Sequence, residues 1–154
     1  MSNMRFSKAP TAIAAGSVLL LVGLAGCTPE ERVSVRASDA GLLFTVCNEQ
    51  AADEIQVRTR PWDSWDEGDS VVWTATADRA LIGSEPIVLF EAPAGFTNVV
   101  ASEDVDSSDT QVQLIISTYE GETLDRARVA TFDGRRISTR DWLTESGELN
   151  TDPC

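Results

Sequence analysis

Three cysteines, a crowded set of carboxylates and a tryptophan-bearing turn are the residues of this 154-residue chain whose types and spacing could do chemistry. A cysteine or serine nucleophile needs a neighbouring base, and here the bases are missing. The chain has no histidine, and its one lysine, Lys8, lies in the first ten residues. That excludes Ser-His-Asp and Cys-His systems and histidine metal sites, and beyond the N-terminal segment it excludes Ser-Lys and Schiff-base mechanisms as well. Of the familiar hydrolytic arrangements only a pair of carboxylates is left, as glycoside hydrolases use. With 25 acidic residues, adjacent pairs arise by chance and single out no candidate. The expectation is a non-enzymatic protein, with a carboxylate-based glycoside hydrolase as the alternative.

Two constellations suit binding. Glu103-Asp104-Val105-Asp106-Ser107-Ser108-Asp109 alternates carboxylates and hydroxyls between two strand-like segments. Calcium takes six to eight hard oxygens, so Glu103, Asp104, Asp106 and Asp109 are the candidate ligands. The loop lacks the glycine and terminal glutamate of an EF-hand, and a solvated acidic loop is the other reading. The second constellation, Arg60-Pro61-Trp62-Asp63-Ser64-Trp65-Asp66-Glu67-Gly68, sets two indoles among turn residues. Trp62 and Trp65 can stack on sugar rings while nearby carboxylates bind hydroxyls, making a glycan platform. They can equally fold back over the sheet edge, where an indole buries a large area.

The N-terminal segment carries a different chemistry. Arg5 and Lys8 precede an apolar stretch from about Thr11 to Ala25 that holds no acid, and Leu24-Ala25-Gly26-Cys27 closes it. In order and composition this resembles the signal and lipobox of a bacterial lipoprotein precursor. The resemblance covers residues 1–27 and implies cleavage between Gly26 and Cys27. It also implies a diacylglyceryl thioether on Cys27, with the new amino terminus open to acylation by palmitate. Fifteen apolar-leaning residues fall short of the roughly 20 that a membrane-spanning helix needs. Two lipid chains would hold the protein on the extracytoplasmic face of the cell membrane. The expected organisation is a signal peptide over 1–26, a lipidated amino terminus and short linker over 27–31, and one domain over 32–154.

Beyond residue 26 there are 10 arginines against 25 carboxylates, a net charge of −15. A field of that sign repels phosphate backbones, so nucleic acid is not an expected partner. An envelope protein or glycan is, alongside the membrane reached through the lipid anchor. The acidity also serves solubility alone. A chain of this length builds one core and cannot supply the two lobes of a solute receptor. No cofactor is expected apart from the covalent lipid, with calcium as the exception raised above.

Once Cys27 is lipidated, Cys47 and Cys154 remain. An even pair in an oxidising compartment favours a disulfide, and this one would pin the polar tail Glu148–Pro153 to the body of the domain. Two free thiols are the alternative in an envelope that oxidises surface proteins poorly.

Short alternating segments separated by turn signals run through the rest of the chain, and no long segment has a helical period. This predicts an all-β, single antiparallel β-sandwich. Strands are expected near 32–37, 41–48, 54–60, 70–77, 86–91, 96–101, 111–119, 123–132 and 135–138. Ile55, Val57 and Thr59 should face inward, with Gln56, Arg58 and Arg60 outward, and Val112, Leu114 and Ile116 should form a second inward row. Glu120-Gly121-Glu122 and Asp133-Gly134 read as hairpin turns. Ser138 to Gly147 invites a helical turn, with Asp141 at capping-box spacing from Ser138. Trp73 reads as core and Trp142 as packing for the C-terminal segment. The strand count resembles an immunoglobulin-like or fibronectin-type-III-like sandwich. Cys47 is expected to pair with the terminus instead of a strand, and Trp73 lies too far along to be the tryptophan of an immunoglobulin strand C.

Overall fold

The computed structural model describes residues 32–62, 69–101, 105 and 109–154, and the signal-like segment with Cys27 lies outside them. Within the described residues the chain is a sandwich of two antiparallel five-stranded sheets. The strands are β1 (Val33–Ser38), β2 (Gly41–Val46), β3 (Gln50–Pro61), β4 (Ser70–Ile82), β5 (Ile87–Val88), β6 (Thr97–Ala101), β7 (Thr110–Glu120), β8 (Thr123–Asp133), β9 (Trp142–Thr144) and β10 (Leu149–Asn150). One sheet has the order β10-β9-β1-β2-β5 and the other β6-β4-β3-β7-β8.

Period-two alternation explains why these segments pair as they do. Val33 and Val35 of β1 meet Phe44 and Val46 of β2 on the inner face, opposite Ile55, Val57, Val112 and Leu114 of the other sheet, and all are essentially inaccessible. Phe44 and Phe132 lie across the gap with ring centroids 6.3 Å apart. Trp73 of β4 is fully buried, and its indole N–H donates to Asn98 Oδ1 at 2.9 Å, while Asn98 Nδ2 donates to the Phe90 carbonyl at 3.0 Å. The polar end of Trp73 is thereby satisfied at the β6 edge. Gly121, at φ +62°, closes the β7–β8 hairpin where a side chain would be strained.

Four expectations need correction. Asp133-Gly134 does not make a two-residue hairpin, and residues 135–138 are not a strand. Gly134 is not among the left-handed glycines such a turn requires, and Gly134–Arg136 instead forms a 3₁₀ turn. The Asp133 carboxylate caps it by accepting from the Arg135 backbone N–H at 3.1 Å. Ser138 Oγ does accept from the backbone N–H of Asp141 at 3.3 Å, the first half of a capping box, yet no helix follows. Trp142–Thr144 pairs with β1 instead, Leu143 opposite Val35 and Thr144 opposite Ser34, because burying Leu143 against the core outweighs a local cap. The strand expected over 86–91 shortens to Ile87–Val88 and ends in a turn where Phe90 takes φ +71°.

Cys47 and Cys154 are bonded, with Cα atoms 5.4 Å apart. The last residues thus cross the outer face of the first sheet beside Ser34, whose hydroxyl donates to the Pro153 carbonyl at 2.5 Å. Ser34, Thr45 and Thr144, side by side on that outer face, are buried although polar.

Candidate functional site

The sandwich has two distinct poles. At one lie Arg32, the 47–49 connection, the Gly121-Glu122 turn and the disulfide-bound C-terminus; the Cys47 N–H bonds the Arg32 carbonyl at 2.9 Å. At the other lie the Asp39-Ala40 turn, Trp62, Asp109 and the 3₁₀ turn, brought together by the pairs Pro61–Thr110 and Gln111–Asp133. Both loops singled out for binding chemistry therefore spring from one pole, opposite the pole at which the chain enters β1.

At that loop pole the described side chains form a charged frame. Asp133 grips the Arg135 guanidinium twice, Nε to Oδ1 at 3.1 Å and Nη2 to Oδ2 at 3.3 Å. The Arg135 side-chain bonds hold the Asp133 carboxyl below the usual carboxylate range, against an opposing push from burial. The guanidinium then lies over the Trp62 ring, 4.5 Å from its centroid. One face of that indole is thus covered by a cation, and its buried Nε1 has no acceptor among the described residues. At the base of the same loop Asp69 accepts from Arg60 Nε at 2.6 Å and faces Arg58 Nη1 at 3.8 Å, which ties the outward row of β3 to the start of β4.

Trp65, Glu103, Asp104 and Asp106 lie outside the described residues. Asp109 is exposed in the turn before β7. Among the described residues no three carboxylate or thiol side chains sit close enough to hold a metal ion.

Sequence reasoning missed the acidic groove of about 400 Å³ near the other pole, on the outer side of the second sheet. Asp53, Glu54 and Asp78 line it with Tyr119, whose N–H donates to Asp53 at 2.7 Å and whose hydroxyl donates to Glu54 at 3.3 Å. Burial, and then the Glu54 charge, push the Tyr119 phenol up, so it stays a hydrogen-bond donor. Only the register could have revealed this groove, because a bulge between Ala52 and Glu54 sets Asp53 against the loop-out of residues 77–79.

No protein-family model matches this chain, and neither the curated proteins nor the solved structures contain a match to it.

Proposed function

We propose that this protein is a lipid-anchored cell-envelope lipoprotein whose β-sandwich is a non-catalytic binding or protein-interaction module. The observation that carries the reading is the separation of the two poles. A chain tethered at Cys27 would enter β1 only a few residues later, so the disulfide pole would face the bilayer and the loop pole would face away from it. The Trp62 and Asp109 loops are then the part of the molecule that a partner meets first. A frame of paired arginines and carboxylates with no nucleophile or histidine suits recognition better than turnover.

A second observation favours a protein over a glycan. Strand β6 is the outer edge of its sheet, all five of its residues are exposed, and none carries a charge. Val99 is 60% exposed and Val100 46% exposed. An uncharged open edge in so acidic a molecule is suited to pairing with an extended segment of another protein. The glycan reading rests on Trp62 and Trp65 together, and at Trp62 the Arg135 stack covers one indole face.

Two measurements test the proposal. Cys27→Ala should move the protein from the membrane to the soluble fraction, and unchanged retention would remove the anchor. Photo-crosslinking residues placed at Val99 and Asp109 on intact cells should capture a discrete adduct that the same group at Glu122 does not. Adducts from Glu122 alone, or from none of the three, would overturn the orientation.

A further inference from the structure

We infer that the molecule carries an anion-binding site for a phosphate-bearing group, in a pocket of about 150 Å³ at the disulfide-pole end of the second sheet. Arg79 of β4 and Arg126 and Arg128 of β8 line it, with Gln50 at the start of β3. Beyond residue 26 the chain has 25 carboxylates to 10 arginines, so a random pocket should be acidic. This one gathers three guanidiniums against a single lining carboxylate, Asp125, which already accepts from the Thr118 hydroxyl at 3.3 Å. Arg128 is taken by Glu145 at 2.5 Å. Arg79 and Arg126 make no hydrogen bond or ion pair among the described residues. Gln50 Nε2 is buried there with no acceptor.

The backbone is bent to bring Arg79 to this position. Between the pairs Ala52–Ala80 and Glu54–Thr76, β4 loops out residues 77–79 against Asp53 alone, and Arg79 takes φ +53°. A left-handed arginine is strained unless its surroundings hold it there, and bulges of this kind re-aim side chains. Like charges held together, a donor left without an acceptor and a strained backbone share one explanation, a bound anion that accepts from Arg79, Arg126 and Gln50. The cavity has room for a phosphate group. Its lining lies toward the pole that the anchored orientation would turn to the bilayer. A phospholipid headgroup and free phosphate both offer this chemistry, but the site itself does not depend on anchoring.

The test uses the full chain in detergent, with inorganic phosphate compared against sodium chloride at equal ionic strength. Phosphate should raise the unfolding midpoint by about 3 °C or more and shift the Nε–Hε resonances of Arg79 and Arg126. The Arg79→Ala/Arg126→Ala variant should lose both effects, while Arg126→Lys alone should keep part of them. Both side chains are exposed, and the variant's midpoint in chloride reports whether it folds. A phosphate effect no larger than that of chloride, or one undiminished in the double variant, would overturn the site. Vesicles of phosphatidylcholine with phosphatidylglycerol separate the sources. If they displace phosphate where pure phosphatidylcholine does not, the occupant is a lipid headgroup; if neither does, it is a soluble anion.

Discussion

Removing the Cys47–Cys154 bond tests the strongest single restraint in the fold. The bond spans 107 positions and so encloses nearly the whole described domain. On the chain-entropy view, closing a loop of that length is worth about 5 kcal/mol, a large share of the 5–15 kcal/mol that holds a typical domain folded. The structure adds a local term. Without the bond the final residues are left with the Ser34–Pro153 hydrogen bond, worth about 1 kcal/mol, and a weak contact of residue 47 with the same carbonyl to keep them over the first sheet. Ordering four residues costs more than that, so the tail should lift and wet the buried Ser34, Thr45 and Thr144. The Cys47→Ser/Cys154→Ser variant of the Thr28–Cys154 domain should therefore lose about 4–5 kcal/mol in urea unfolding and roughly 15 °C in its midpoint. Amide exchange should rise in β10 and at the start of β1, and reducing the wild type should reproduce both changes. Midpoints agreeing to within about 0.5 kcal/mol, with unchanged exchange in β10, would refute the reasoning that the bond docks the tail and constrains the unfolded chain.

Two smaller effects follow from named hydrogen bonds. Asn98→Ala removes the acceptor of the buried Trp73 indole. The cost should be about 1 kcal/mol, at the low end for an orphaned donor, because Asn98 is exposed and water can reach the vacated place; equilibrium denaturation with tryptophan fluorescence reads both energy and polarity. Asp133→Ala should cost about 1 kcal/mol at neutral pH through loss of the 3₁₀ cap. Asp133→Asn keeps a capping oxygen but loses the ionic grip on Arg135, which isolates the charge contribution. Because the folded pKa of Asp133 is depressed, that contribution is present above the ordinary carboxylate pKa. It disappears as the pH falls through the lower folded value. The stability gap between wild type and Asp133→Asn should thus close in acid, and a gap independent of pH would contradict the assignment.

Much of the architecture was legible from local pattern. Alternation over Ile55, Val57 and Val112, Leu114, Ile116 marks inward rows because one face of a strand is buried and the next residue must point the other way. The Gly121 turn is readable because few residues other than glycine take its backbone angles. Cys47 and Cys154 were readable as a pair once Cys27 was set aside as the expected lipidation site. Where local signals competed with packing, they failed. Ser138 forms its capping bond and still yields to a strand, because Leu143 gains more from the core than a cap can supply.

The amino-acid sequence by itself determined the fold class, the disulfide pair, the acidic field and the lack of histidine and, beyond Lys8, of lysine. Each depends on residue types or on a period of two, and neither requires knowing what lies far along the chain. Tertiary structure alone decided which loops share a pole, that Arg135 covers Trp62, and that Asp53, Glu54 and Tyr119 line one groove. It also decided that three arginines from β4 and β8 surround one pocket in an otherwise acidic molecule. These groupings join residues far apart in the chain, 73 positions in the case of Trp62 and Arg135. They depend on strand order, register and a single bulge, which arise from pairing across the whole sandwich and leave no trace in the local sequence.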